Sequence, residues 1–161
     1  MKEQKYRSIK RYHQIAPCAY RQWKSDTSCG VIHGYSFSFR FDFECDDLDA
    51  RNWCMDFGGL RDLKYKLEEW FDHKTLVAQD DPHIDWYREA QKRGIMKITE
   101  VERTGCEGLA DFLYKYVNGI LLPSFGDTEA KRVWCCSVQV QETDANMAMR
   151  NGHRSDDEEL F

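Results

Sequence analysis

The sequence predicts an α+β domain in which two helices pack on one face of an antiparallel sheet. Phenylalanines alternate with polar residues along residues 32–44, which is typical of a half-buried strand. Two segments that start near Leu60 and Leu109 each place their apolar side chains on one helical face. Residues 133–143 then alternate again. The order of elements is therefore strand, strand, helix, helix, strand, which favours an antiparallel sheet with both helices on one face.

The remaining predicted elements are shorter or less regular. They are a strand over 5–17 that ends at Pro17, a short strand over 53–57, a short helix over 85–93, a strand over 96–101, and an end of the second helix at Pro123. We expect one domain over residues 1–150, with an enlarged segment at 78–103 that is either a lid, a subunit contact or a surface excursion. Residues 151–161 are expected to form an acidic, flexible tail.

Composition excludes several classes of protein. The chain has 161 residues and is 42% hydrophobic, which is enough for one packed core. No stretch approaches the roughly 20 apolar residues of a membrane span, and the charged N-terminus has no apolar block behind it, so neither a membrane protein nor a secretory signal is expected. The seven cysteines are odd in number and contain no C-x-x-C spacing. This pattern disfavours a disulfide scaffold or a zinc ribbon and favours the cytoplasm.

Charge is unevenly distributed along the chain, whose net charge is −5. Residues 1–24 hold seven lysines or arginines and one acid, whereas residues 156–161 hold four acids. The basic segment is either a solvated strand edge or a surface for nucleic acid or a polyphosphorylated small molecule. Because the sequence contains no helix-turn-helix, zinc-finger or RNA-binding sheet motif, nucleic acid is not the expected partner. An interaction module with salt-sensitive nucleic-acid binding remains the third hypothesis.

Polar side chains occupy inward strand positions at two places. His33 and Tyr35 share strand parity with Phe37, so they project from one face either as part of a ligand site or as satisfied structural residues. Glu142 shares parity with the apolar face of its strand. A carboxylate buried there needs a partner or a ligand, unless the strand has already left the core.

The dipeptide Asp72-His73 follows the first predicted helix. A carboxylate beside an imidazole can tune a proton carrier, although both residue types are also common at helix ends. The sequence contains no glycine-rich phosphate loop, G-x-S-x-G or H-E-x-x-H motif. The dipeptide is therefore a candidate for proton-transfer chemistry by its residue types alone.

Together these motifs resemble the 6-pyruvoyltetrahydropterin synthase / 6-carboxytetrahydropterin synthase family. The matching segments occur in family order across residues 12–150. They are Cys29 to Tyr35, Asp56-Phe57 with Leu60, Asp72-His73, Thr104 to Glu107, and Glu142-Thr143. The resemblance implies the tunnelling fold (T-fold), a four-stranded antiparallel sheet with two helices on one face. It also implies a homohexamer with active sites between subunits.

The resemblance implies zinc-dependent lyase chemistry on 7,8-dihydroneopterin triphosphate. One branch of the family gives 6-pyruvoyltetrahydropterin, and the other gives 6-carboxytetrahydropterin on the way to 7-deazaguanines such as queuosine. We expect the second branch, with the first as the alternative. The resemblance assigns Cys29 as the thiolate base, and Asp72 and His73 as the relay that tunes or reprotonates it.

The resemblance also assigns residues to the substrate. Glu142 is expected to anchor the amino-pyrimidine edge of the pterin, because its two oxygens can accept two N–H donors. The motif that precedes the second helix adds Thr104 and Glu107 as substrate-binding positions.

The zinc ligands depart from the family pattern of three histidines, one on the first strand and two in H-G-H. His33 is retained, Tyr35 stands at the second H-G-H position, and the spacing from Cys29 places Cys18 at the first-strand position. His13 is a substitute on the opposite strand parity. Two interpretations follow. Either Cys18, His33 and Tyr35 form a remodelled zinc site, or zinc is lost and the protein binds a pterin or purine without the family's chemistry.

Overall fold

The computed structural model describes residues 5–157, which form a six-stranded mixed sheet with two principal helices on one face. The strand order is β4-β3-β1-β2-β5-β6. The strands are β1 (Tyr6–Tyr20), β2 (His33–Cys45), β3 (Lys74–Ala78), β4 (Ile98–Val101), β5 (Trp134–Gln141) and β6 (Met147–Asn151). The helices are α1 (Arg61–Phe71), α2 (Ile84–Lys92), α3 (Cys106–Tyr116), α4 (Leu122–Ser124), α5 (Asp127–Arg132) and α6 (Arg154–Asp157).

The long strands β1 and β2 form the centre of the sheet as an antiparallel pair. Alternation along β2 buries its four phenylalanines in the core, at positions 37, 39, 41 and 43. An irregularity in β1 between Tyr12 and Ala16 shifts the register of the pair. Within it Gln14 adopts a positive φ of 46°, and its backbone N–H donates to Ser38 Oγ at 2.8 Å. The register after this irregularity decides which β1 residues face the candidate site.

Helices α1 and α3 pack on the same face of the sheet, as the apolar stripes predict. α1 lies against β1, and α3 lies against β5 and β6. The two helices meet through Trp70, whose ring packs perpendicular to Phe112 and Tyr116 with centroids 5.1 and 4.7 Å away. A π-helical turn over Val117–Leu121 carries α3 directly into α4. The second predicted helix therefore passes Pro123 and ends at Ser124.

The sheet has six strands rather than four, and β3 and β4 pair in parallel. Four consecutive residues of β3, Thr75 to Ala78, are buried, so the segment shows no alternation in the sequence. β6 is a five-residue strand at the edge of the sheet and pairs with β5 alone. The sequences of β3 and β6 show no period-two alternation of polarity, so neither strand is predicted from the sequence, and the expectation of four strands came from the family resemblance.

Two further boundaries differ from the prediction. β1 continues three residues past Pro17, because a proline is tolerated where the backbone N–H is not needed for pairing. Residues 53–57 form an irregular loop rather than a strand. The loop is organised by Asp49, which accepts hydrogen bonds from the backbone N–H groups of Arg51 and Trp53 at 2.8 and 3.0 Å.

The enlarged segment 78–103 is integrated into the sheet. It contributes α2, which packs on β3 and β4, and β4 itself. The Arg21 guanidinium donates two hydrogen bonds to the Asp81 carboxylate, at 2.9 and 2.7 Å, and the Asp81 side chain is 2% exposed. This bidentate pair ties the start of the segment to the residue that follows β1.

Substitution of Asp81 by asparagine is expected to lower the free energy of unfolding at pH 7 by roughly 2 to 4 kcal/mol, because Arg21 loses its buried partner. Hydrogen bonding from Arg21 lowers the pKa of Asp81 in the folded protein. The stabilisation is therefore present above the pKa of unfolded aspartate, about 3.9, and is lost as the pH falls further. Urea unfolding measures the difference in the free energy of unfolding between the wild type and Asp81→Asn, which should be smaller at pH 3 than at pH 7.

The matched control is Asp80→Asn, whose side chain is 54% exposed beside Lys24. An exposed ion pair contributes little to stability, so this variant should stay close to the wild type at both pH values. Equal losses in the two variants would contradict the role of the buried pair.

The ends of the described chain add two observations. None of the helices within residues 5–157 combines the length and the apolar character that a bilayer crossing requires. Residues 154–157 form α6, at the start of the tail predicted over 151–161. Residues 158–161 of that tail lie outside the described residues, and the prediction of flexibility is untested.

Candidate pterin site

The centre of the candidate site is a half-buried carboxylate at the end of β5. Glu142 is the first residue after this strand, and its backbone N–H donates to the carbonyl of Asn146 in the turn to β6. The Tyr20 hydroxyl donates to Glu142 Oε2 at 2.8 Å, and the Cys106 thiol lies 3.8 Å from the same oxygen. Residues that are distant in the sequence therefore converge on one carboxylate oxygen.

Aromatic rings from β1 and β2 form a wall beside this carboxylate. Tyr20 pairs in register with His33, and Cys18 pairs with Tyr35, so all four side chains share one face. The centroid of the Tyr20 ring lies 4.8 Å from that of His33 and 6.2 Å from that of Tyr35. The residue between His33 and Tyr35 is glycine because a Cβ there would lie 2.9 Å from the carbonyl oxygen of Cys18.

Cys29 lies in the turn that precedes β2. The turn spans Ser28–Gly30, and Cys29 is fixed by its backbone, whose N–H donates to Thr27 Oγ1 and whose carbonyl accepts from Gln22. Its thiol is half exposed. Burial raises the pKa of Tyr35, and the nearby groups Glu142 and Cys29 raise it further. The predicted base thus lies beside the same aromatic wall.

Asp72 and His73 connect α1 to β3. His73 Nδ1 lies 2.6 Å from Asp72 Oδ1, and the imidazole is 83% exposed. The His73 backbone has a positive φ of 56°, and its N–H donates to the carbonyl of Pro17 at 2.8 Å. With Nδ1–H donating to Asp72, Nε2 becomes the acceptor that can take up a proton. The Asp72 charge also contributes to the raised pKa of the Cys18 thiol, which indicates that the pair lies close to Cys18.

The predicted substrate-binding residues before α3 have different environments. The Thr104 hydroxyl donates to the carbonyl of Arg21 at 2.8 Å, which joins this loop to the end of β1. Glu107 is exposed in the first turn of α3. Cys106, between them in the sequence, is the residue of this motif that faces Glu142. The assignments of Thr104 and Glu107 to the substrate remain predictions.

The expected zinc ligands do not form a suitable donor set. Among the side chains of residues 5–157, no three histidines, cysteines or carboxylates are grouped so that they could hold a metal ion. His33 retains its Nε2, since its Nδ1 hydrogen bonds to the carbonyl of Val31 at 2.7 Å. Burial raises the pKa of Cys18 to about 12 and also raises that of Tyr35, so a zinc ion bound there would have to displace a proton from each. A tyrosine oxygen is also not among the usual protein ligands of zinc.

Sequence reasoning missed two residues that contact Glu142. Tyr20 has the same strand parity as Cys18, but nothing in the sequence distinguishes it, and the spacing from Cys29 pointed to Cys18 alone. The sequence did not predict Cys106 as a site residue, because nothing in its sequence context distinguishes a cysteine that packs in the core from one at a site. Burial raises its pKa to about 12, and the Glu142 charge raises it further.

A cavity lies next to the turn that carries Cys29. It has a volume of about 410 Å³ and is lined on one side by Gly30 to Ile32 and on the other by Trp86 and Tyr87 of α2. The enlarged segment 78–103 therefore forms one wall of a space that adjoins the candidate site.

Comparisons with known proteins identify the fold. The family model described as 6-pyruvoyl tetrahydropterin synthase matches residues 9–153. An uncharacterized protein from Wolinella succinogenes has a similar structure, with a TM-score of 0.76, 18% identity, and coverage of 92% of this chain and 98% of that one. A catalytic-residue mutant of Plasmodium vivax 6-pyruvoyltetrahydropterin synthase gives a TM-score of 0.65, 13% identity, and coverage of 91% and 98%.

The Plasmodium falciparum 6-pyruvoyl tetrahydropterin synthase is also similar, with a TM-score of 0.63, 10% identity, and coverage of 94% of this chain and 99% of that one. No curated protein sequence matches the chain significantly. The predicted α+β T-fold is confirmed, with two more strands than expected. Because the family model spans most of the sequence, the chain belongs to the 6-pyruvoyl tetrahydropterin synthase family.

Proposed function

We propose that this chain binds a pterin-class heterocycle through Glu142. We further propose that it is a lyase that converts 7,8-dihydroneopterin triphosphate to 6-carboxytetrahydropterin. This product lies on the route to 7-deazaguanines such as queuosine. The observation that carries the proposal is the half-buried Glu142 carboxylate, held by the Tyr20 hydroxyl at 2.8 Å beside an aromatic wall. Membership of a family of lyases supports the general class of reaction.

The site offers what a planar amino-pyrimidine edge requires. Such an edge presents adjacent N–H donors, and a carboxylate accepts them with charge-assisted hydrogen bonds. The partly exposed rings of His33 and Tyr35 provide flat surface beside the carboxylate, and the buried Tyr20 ring packs against both. Burial of the heterocycle against these rings excludes water and strengthens the hydrogen bonds to Glu142.

The side chain of the substrate would meet the two groups suited to proton transfer. We assign Cys29 as the base that takes a proton from the side-chain carbon next to the ring. The released electron pair forms a C=C bond to the ring carbon, and the ring C=N bond opens so that its nitrogen takes up a proton. Cleavage of the side chain with addition of water then releases acetaldehyde and triphosphate. Asp72 holds the His73 imidazole through Nδ1, so Nε2 can accept a proton and return it. No step of this mechanism is derived through zinc, because the donor set does not fit the ion.

The decisive experiment incubates the purified chain with 7,8-dihydroneopterin triphosphate, with and without added zinc. Release of acetaldehyde together with 6-carboxytetrahydropterin is the expected result. A pyruvoyl product without acetaldehyde would transfer the protein to the sister reaction. Absence of both turnover and pterin binding would contradict the proposal.

A second candidate function is a pterin- or purine-binding protein that does not turn over its ligand. The specific observation in its favour is that His33 shares its face with Tyr20, Tyr35 and the buried thiol of Cys18. Within residues 5–157 no three histidines, cysteines or carboxylates are grouped there as a metal site. Saturable binding of neopterin without turnover of the triphosphate, at any zinc concentration, would favour this candidate over the lyase.

We further propose a homo-oligomer, a hexamer as in the family expectation, with the site completed at a subunit boundary. The supporting observation is the 83% exposure of His73 beside a half-buried carboxylate. All seven cysteines lie within the described residues and are free thiols, which supports a reducing, cytoplasmic location. Light scattering coupled to size-exclusion chromatography tests the assembly, and a monomer that retains activity would contradict it.

A further inference from the structure

Within residues 5–157, the hydrogen bonds that the Glu142 side chain accepts come from Tyr20 and Cys106 and end on the same oxygen. Tyr20, which is 1% exposed, donates to Oε2 at 2.8 Å, and the Cys106 thiol lies 3.8 Å from the same atom. Because a carboxylate oxygen accepts about two hydrogen bonds, Oε2 is occupied by the protein. Oε1 is then the oxygen that meets the ligand, and Tyr20 fixes where it lies.

The same tyrosine belongs to the wall on which a metal would have to be bound. Tyr20, His33 and Tyr35 project from one face, with the His33 and Tyr35 rings perpendicular at 5.4 Å. On the face that these residues share with Cys18, His33 offers a nitrogen and Cys18 a buried thiol, and the Tyr20 hydroxyl donates to a carboxylate. Within residues 5–157 no third histidine, cysteine or carboxylate is grouped with them so that the set could hold a metal ion. Tetrahedral zinc needs three protein ligands even when water supplies the fourth.

We propose that this pocket binds its heterocycle without a resident divalent metal, and that Tyr20 is the positioning residue for Glu142. The proposal rests on the proposed function for the identity of the ligand, but its metal-free character is independent of that ligand. The Tyr20 hydroxyl orients the Glu142 carboxylate: it donates a hydrogen bond to one oxygen, so that the other oxygen faces the N–H donors of the ligand.

Metal analysis of the full chain, purified from zinc-supplemented culture without chelators, tests the first part. The expected result is a zinc content far below one ion per chain and no thermal stabilisation by added zinc. The control is the double variant Tyr20→His/Tyr35→His, which places three imidazoles on one face and is expected to acquire zinc. About one zinc per wild-type chain, lost in His33→Ala, would overturn the proposal.

Neopterin binding, followed by pterin fluorescence, tests the second part. Tyr20→Phe removes only the hydroxyl and is expected to weaken the affinity roughly tenfold, as for the loss of a hydrogen bond to a charged group. The matched control is Tyr12→Phe, which also loses a buried hydrogen bond, from the Tyr12 hydroxyl to the carbonyl of Leu60 at 2.9 Å. This control should lower stability and leave neopterin affinity unchanged.

A thermodynamic cycle separates positioning from a general structural effect. If Tyr20 acts through Glu142, Tyr20→Phe should cause little additional loss of affinity in a Glu142→Ala background, in which the acceptor of the tyrosine hydroxyl is absent. An equal loss in both backgrounds, or an equal loss in Tyr12→Phe, would overturn the positioning role. Failure of the wild type to bind neopterin would instead count against the proposed function, and the metal analysis would still decide whether the pocket is metal-free.

Discussion

Glu142→Gln is expected to weaken neopterin binding roughly tenfold to a hundredfold, because a hydrogen bond to a charged acceptor contributes about 1.5–3 kcal/mol. The amide keeps one acceptor oxygen, so Tyr20 can still donate to it and the fold should be retained. However, the amide replaces the second oxygen with an N–H₂ group, which faces the N–H donors of the pterin. The loss should therefore appear in ligand affinity more than in the free energy of unfolding.

A matched control for Glu142→Gln is Asp144→Asn, which removes the same charge two residues away at an exposed position of the β5–β6 turn. It should leave affinity within about twofold of the wild type, since exposed charges at this distance are screened. Fluorescence titration at constant ionic strength measures both variants. Equal weakening in the two would mean that the effect is one of net charge and would contradict a direct contact between Glu142 and the ligand.

The elements that could be predicted are those whose apolar side chains all lie on one face. In β2 the phenylalanines pack into the core and the polar residues lie on the opposite face, where Ser38, Asp42 and Glu44 are also buried. The stripes of α1 and α3 repeat every 3.6 residues because one face of each helix packs on the sheet. β3 is enclosed on both faces, so its residues carry no period. The edge strand β6 is too short to form a pattern, and its place is set by pairing with β5. The formation of β3 and β6 therefore depends on tertiary packing and strand pairing rather than on a local sequence pattern.

Strand parity could place single residues of the candidate site on a face, but it gave neither their arrangement nor the contacts of Tyr20 and Cys106 with Glu142. Parity placed His33, Tyr35 and Glu142 on inward faces. The contact between Tyr20 and Glu142 joins residues 122 positions apart, and it depends on the β1 register after the irregularity at Tyr12 to Ala16. No local pattern encodes that shift. Spacing along the chain consequently selected Cys18, whereas the register pairs Tyr20 with His33.

If the chain is a lyase, Cys29→Ala is expected to lower the rate of turnover of 7,8-dihydroneopterin triphosphate roughly 10²- to 10⁴-fold, the range for loss of a general base. The Cys29 backbone holds the turn through Thr27 and Gln22, and alanine keeps both hydrogen bonds. Neopterin affinity should therefore stay close to that of the wild type, because the pterin ring is held at Glu142. A large change in rate with no change in affinity is the expected signature of a base.

Ser28→Ala is the control for this variant, because it removes a small polar group from the same turn at an exposed position. Single-turnover measurements with excess protein compare the variants without a contribution from product release. Full activity in Cys29→Ala would exclude the thiol as the base and transfer that role to the Asp72–His73 pair, whose Nε2 is the remaining proton acceptor. In that case His73→Gln should abolish turnover. If Cys29→Ala abolishes turnover and His73→Gln does not, Cys29 starts the reaction and the Asp72–His73 pair only returns the proton.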